Sequence, residues 1–291
     1  QAIARFGDQV VVVGGMGTVV QSADGGKQWH STTLDGKPYL VDVTACPGGG
    51  FYAIDKTDGL WSLESDGRWK HQALPEGTEP QALACNSDGV LWVVGGFSTI
   101  VHSNDAGGTW ESWSLEDDLY LTTIQFPDKE HGFATGEFGT VLVTQDGGAT
   151  WERGTDLPDS FYPQGAYFSD ALTGWVVGLS GTIWKTSDAA QTWENIPSSS
   201  TTPLYGIRGA GDTLVAVGDN TTIMVSRRAD GTWAPLGQTK KSRTYLRGVA
   251  GLDRNHFVVA GGGGSLFSVT IPDKAPLASA AAGHDAETSH D

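Results

Sequence analysis

Residues 138–151 read FGTVLVTQDGGATW, and the same order of residue types returns at 15–29 (GMGTVVQSADGGKQW), 97–110 (FSTIVHSNDAGGTW) and 180–193 (SGTIWKTSDAAQTW). Each copy carries a threonine, two apolar residues, a serine or threonine, an aspartate two positions later, a tight turn and a tryptophan. An aspartate at a turn accepts hydrogen bonds from nearby backbone amides, and glycine supplies the positive φ that such turns require. A reaction, by contrast, needs its acids and bases to converge on one point. Copies of one aspartate on separate units do not converge. Asp24, Asp105, Asp146 and Asp188 therefore read as turn-formers, with Trp29, Trp110, Trp151 and Trp193 anchoring the turns.

The tryptophans also measure the repeat. Trp29, Trp69, Trp110, Trp151, Trp193 and Trp233 are spaced by 40, 41, 41, 42 and 40 residues. Two units are degenerate: SLESDGRW (62–69) and SRRADGTW (226–233) keep the distance from serine to tryptophan but move the Asp-Gly pair. Ahead of the turns lie short apolar runs ending in glycine, such as LWVVGG (91–96) and GWVVG (174–178). Ahead of those comes one more strand, as in LYLTTIQF (119–126) and LYGIRG (204–209). Residues 244–269 repeat the first three strands and then lack both turn and tryptophan.

About four short strands per unit, joined by glycine turns, describe an all-β chain. In the third strand both neighbours after the threonine are apolar, for example Val19 with Val20 and Ile100 with Val101. A strand apolar on both faces is buried on both faces. Radial packing of small sheets produces that situation, and a repeat near 40 residues fits a propeller. The expected fold is a seven-bladed β-propeller of four-stranded antiparallel blades with Asp-box turns. It occupies 1–272, with blades at about 1–34, 39–74, 80–115, 119–156, 162–197, 203–237 and 244–272. Residues 273–291, rich in small and acidic side chains, are expected to form a flexible tail. The seventh blade is closed either by residues upstream of Gln1 or by IPDKAPL (271–277).

Eighteen basic and 34 acidic residues give a formal charge of −16. Nucleic-acid binding rests on clustered lysine and arginine, so this balance argues against it. The sequence has no run of eighteen apolar residues and hence no candidate transmembrane helix. The charge is uneven. Between Pro203 and Arg254 eight basic residues face four acidic ones. Arg208, Arg227, Arg228, Lys240, Lys241, Arg243 and Arg247 make that sector the first choice for a partner contact. The tyrosines Tyr39, Tyr120, Tyr162, Tyr205 and Tyr245 read as sitting just before the inner strands, where they would ring one mouth of the channel and meet a partner or a ligand. Cys46 (VTACPGG) and Cys85 (ALACNSDG) end equivalent strands of neighbouring blades. A disulfide would pin those blades in an oxidising compartment, and two buried thiols are the alternative.

Catalytic signals are thin. No phosphate-binding loop, nucleophile elbow or metal-ligand spacing occurs, and no cofactor is implied. The fold class also contains sialidases and carbohydrate or small-molecule binders. The Arg-Ile-Pro motif of sialidases does not follow Arg5, where the chain reads RFGD.

The motif Ser/Thr-x-Asp-x-Gly-x-Thr-Trp resembles the Asp-box, or BNR repeat. GWVVGLSGTIWKTSDAAQTW and HGFATGEFGTVLVTQDGGATW are most similar to the HCF/YCF-type photosystem II assembly-factor propellers and their non-photosynthetic bacterial relatives. That resemblance, over about residues 1–270, implies a non-enzymatic ring outside the cytoplasm, in the periplasm or the thylakoid lumen. It implies an assembly or accessory role for a membrane protein complex, of photosystem type or of the RND (MMPL) transporter type. It also implies an arginine-rich binding patch, for which Arg208, Arg227, Arg228, Arg243 and Arg247 are the matching residues. The acidic total and nine arginines favour the transporter context.

Overall fold

In a computed structural model, residues 1–115, 117–158, 161–227, 231–237 and 243–273 are described. They form seven antiparallel sheets, each a meander in chain order, arranged as the blades of a propeller. Six blades have four strands. The seventh has three among the described residues: Leu246–Gly251, His256–Gly261 and Leu266–Thr270.

The seven seams between blades are also the seven hydrophobic clusters, and strand alternation explains why. In the second strand of blade one, Gln9–Val13, Val11 and Val13 point into the seam with blade two. Val10 and Val12 point the other way, onto Val258 and Ala260 of blade seven. Successive side chains of a strand take opposite faces, so a strand wedged between two sheets must be apolar at every position. The seam between blades four and five holds a parallel stack of Phe133 on Phe168, with centroids 3.8 Å apart. The ring closes through the seventh seam by packing, with Ile3 against Ala250, and by a bond from Arg5 Nη1 to the carbonyl of Gly251 (2.8 Å). No strand is shared between the first and last blades among the described residues.

The Asp-box turns serve these seams. Asp146 accepts from the amide and hydroxyl of Thr150 and from the hydroxyl of Thr144, and that hydroxyl accepts from the amide of Gly148. Asp105 and Asp188 repeat the arrangement with Thr109 and Thr192, whereas Asp24 accepts from the amides of Lys27 and Gln28 and the hydroxyl of Ser22. Gly148 has φ +95°, and a Cβ there would lie 2.1 Å from Trp92 of blade three. The motif glycine is thus also an inter-blade contact. Blade five manages with Ala190 at φ +63°, buried in the seam with blade four. Trp151 packs edge-on to Trp92, and Trp193 donates to the carbonyl of Thr155, each in the blade before its own.

Candidate functional site

The inner strands of blades two to seven share a β-bulge that skips one residue of the register. The skipped residues are Val41, Gln81, Thr122, Gln164, Tyr205 and Arg247. A bulge re-aims the side chain it leaves unpaired, and all six line the central channel. The cavity there holds about 130 Å³. Ligand pockets for drug-sized molecules span roughly 300–1,000 Å³, so this channel suits a small group or a single chain end.

Among the described residues, three charged side chains line it. Arg247 is presented by the bulge of blade seven and Arg208 stands three residues beyond the bulge of blade six. Asp42, next to the bulge of blade two, accepts from the amides of Val43 (2.9 Å) and Leu83 (2.8 Å). The channel walls surround both Asp42, which is half-buried, and Arg208, whose side chain stays open to the channel space. Enclosure pushes the Asp42 carboxyl up, against the two amides and the charges of Arg208 and Arg247. The same enclosure works against the charge of Arg208, which Asp42 supports; a guanidinium nevertheless stays protonated in proteins. Arg208 Nη1 donates to the carbonyls of Ala166 (3.0 Å) and Ile207. Two cations beside one carboxylate leave a net positive channel, the setting for an anionic group.

The other sequence candidates are placed as follows. Tyr39, Tyr120, Tyr162 and Tyr245 stand one residue ahead of Leu40, Leu121, Pro163 and Leu246, the first residues of their inner strands. Tyr205 does not share that position, because it lies inside its strand, after Leu204. The skipped register turns it into the channel, and Pro203 takes the equivalent place at the rim. Its ring still meets that of Tyr245 edge-on, with centroids 6.1 Å apart.

Arg227 departs from the expected partner surface. Its side chain is only 10 % exposed. It lies in the seam between blades six and seven, donating to Thr213, Asn255, Asp212 and the carbonyls of Arg254 and Pro272. Arginine's planar fork, which suits a phosphate or carboxylate, suits such a clamp equally. Arg243 is exposed. Arg228, Lys240 and Lys241 lie outside the described residues. Cys46 and Cys85 form a disulfide across the seam of blades two and three, with Cα atoms 5.1 Å apart. Among the described residues, no cluster of three or more His, Cys, Asp or Glu is placed to hold a metal, and no helix is long and apolar enough to cross a membrane. Sequence reasoning missed Asp42, whose role depends on neighbours 41 and more residues away.

Fold and channel together define a seven-bladed propeller of Asp-box units with a narrow, positively charged axial site. Residues 109–234, from the turn of blade three to the last strand of blade six, match the family model described as photosynthesis system II assembly factor YCF48. The photosystem II assembly lipoprotein Ycf48 of Prochlorococcus marinus is 26 % identical over 100 residues. That match covers 34 % of this chain and spans 29 % of the length of the relative. Among solved structures, YCF48 from Cyanidioschyzon merolae superposes with a TM-score of 0.75 at 15 % identity, over 94 % of this chain and 96 % of that one. A YCF48 bound to a D1 peptide gives 0.76 at 14 % identity, over 93 % and 91 %. Virginiamycin B lyase from Staphylococcus aureus, in an inactive form with quinupristin, gives 0.77 at 13 % identity, over 91 % and 92 %. At these identities the structures speak for the fold alone, and the lyase shows that the same ring also carries catalysis.

Proposed function

We propose that the chain is a protein-binding propeller that works outside the cytoplasm, without catalysis, as an assembly or accessory subunit of a membrane protein complex. The observation that carries this reading is the axial site: Arg247 and Tyr205 on adjacent bulges, Arg208 deeper in, and Asp42 beside them. A cavity of about 130 Å³ accommodates an acidic side chain or a chain terminus and leaves the bulk of the bound molecule outside, on the face of the ring. Bidentate capture of a carboxylate is what arginine geometry favours. The exposed Arg243 extends the positive character onto that face, and Lys240 and Lys241 adjoin it in the sequence. The YCF48 family match, and a solved YCF48 with a D1 peptide, support a partner that is part of a membrane complex. A disulfide, together with a relative described as a lipoprotein, supports an extracytoplasmic site of action, periplasmic or lumenal. The acidic body and nine arginines favour a transporter of the RND type as the complex over a photosystem.

The glycosidase alternative requires three arginines beside a tyrosine and a glutamate. Two arginines, a tyrosine and an aspartate meet here among the described residues, so the arrangement supports binding better than sialoside cleavage. Tagged protein recovered from detergent-solubilised native membranes, with its companions identified by mass spectrometry, tests the proposal. A recurring integral-membrane subunit supports it. Turnover of a sialoside by the same preparation refutes it.

A further inference from the structure

In blade one and blades three to seven the loop between the second and third strands ends in a two-residue turn whose central residues are both left-handed. These pairs are Met16–Gly17, Phe97–Ser98, Phe138–Gly139, Ser180–Gly181, Asn220–Thr221 and Gly263–Gly264. Turns of this kind favour asparagine, aspartate or glycine at the first position. Blades six and seven comply with Asn220 and Gly263, and blade five uses the small Ser180. Blades one, three and four place Met16, Phe97 and Phe138 there instead, at φ 59°, 52° and 56°. A bulky side chain at positive φ is a costly choice. Burial does not compensate, since the three are 66 %, 53 % and 62 % exposed. Neither backbone preference nor core packing explains these residues.

Between the two phenylalanines lies a chain of carboxylates and a tyrosine. Tyr120 Oη donates to Glu79 Oε2 at 2.5 Å, and the Tyr120 amide donates to Glu137 Oε2 at 3.2 Å. Glu137 Oε1 accepts from Tyr162 Oη, and Glu137 directly precedes Phe138. On the neighbouring blade Lys56 already sits over the ring of Tyr39, 4.8 Å from its centroid. The rim of blades three and four is therefore aromatic and anionic, the opposite of the arginine-bearing sector across the channel. Aromatic faces and carboxylates together recognise cations carried on apolar stems.

We propose that Phe97 and Phe138, set around Glu79, Tyr120 and Glu137, form with Met16 on the same rim at blade one a docking surface for an extended, positively charged segment of a partner protein that also bears aliphatic or aromatic side chains. This surface is independent of the axial arginine site and stands or falls separately.

The full chain is titrated against three fluorescently labelled synthetic peptides, alternating lysine–leucine, lysine–serine and glutamate–leucine, with anisotropy as the readout. The chain carrying Met16→Asn, Phe97→Asn and Phe138→Asn is compared with one carrying Leu172→Ser, an exposed leucine on the opposite face. The lysine–leucine peptide is expected to bind tightest, to weaken about ten-fold with the triple variant, and to be unaffected by Leu172→Ser. Because asparagine suits the turn, the triple variant is expected to melt no lower than the parent. Equal affinity in parent and triple variant overturns the proposal, as does equal affinity for the glutamate–leucine peptide. A lower melting temperature of the triple variant also overturns it, by assigning the residues to the fold. Sedimentation with phosphatidylcholine or phosphatidylglycerol vesicles that is abolished by the triple variant overturns it in favour of a lipid surface.

Discussion

Arg227 of blade six donates to the carbonyl of Pro272, 3.0 Å away and just past the last described strand of blade seven. The same guanidinium reaches Asn255 at 3.1 Å, and the Ile271 amide donates to the Asn255 carbonyl. One buried fork thus ties the end of the last described strand of blade seven to blade six. Arg227→Ala removes these bonds and strands their acceptors, at a cost of about 2–3 kcal/mol. Thermal unfolding is expected to show a clearly lowered midpoint for Arg227→Ala and a smaller loss for Arg227→Lys. An unchanged midpoint for Arg227→Ala would mean that the side chain faces a partner after all.

The Cys46–Cys85 disulfide closes a loop of 39 residues of separation. Cross-links of that span stabilise by about 2–4 kcal/mol through the unfolded chain. Cys46→Ser with Cys85→Ser, or the parent chain under reducing conditions, is expected to unfold at lower denaturant. The ring should persist in both, because the seam between blades two and three also buries Ile54, Leu60, Leu83 and Leu91.

Asp146 and Asp105 are both held down to about 2, Asp146 chiefly by the hydroxyl and amide of Thr150, and Asp105 chiefly by the amide of Thr109. An unfolded aspartate titrates near 3.9. The depressed carboxylates therefore stabilise the ring fully above about pH 4, and that contribution disappears as the pH falls toward 2. Asp146→Ala is expected to lower the melting temperature at pH 7 and to flatten its decline between those pH values. Partner binding at pH 7 should survive in the variant, whereas a catalytic or contact role would show as lost function with little change in stability.

The blade period, the strand count and the meaning of the Asp-box turns were legible because all three are local or periodic. Paired apolar residues in the third strands, such as Ile100 with Val101, exposed the double burial directly. The candidate site was legible only in part. Arg208 and Arg247 stand out by charge, but their meeting depends on bulges that skip Tyr205 and Arg247, and a register shift leaves no mark in composition. Tyr205 looked equivalent to Tyr245 for the same reason: two residues of offset separate a rim position from a channel position. Arg227 carried the signal of a surface cation, and its partners Thr213, Asn255 and Pro272 lie 14 to 45 residues away, where no local pattern shows them. Met16, Phe97 and Phe138 drew no notice as sequence, since their oddity lies in the sign of φ.

The axial site sets its own expectation for variants. Arg247 is exposed at the channel mouth, so Arg247→Glu should leave the fold intact while reversing the charge that faces an incoming carboxylate. Loss of about ten-fold or more in affinity is the expected order for removing a charge-assisted contact of this kind. Tyr205→Phe should cost less, because the ring remains to meet Tyr245.

Capture from native membranes by the parent chain and by Arg247→Glu, run side by side with melting curves for both, bears most directly on the protein-binding role. An integral-membrane subunit is expected to be enriched with the parent and depleted with Arg247→Glu, at equal melting temperatures. Equal enrichment with both chains, or no membrane-protein companion at all, would contradict that role.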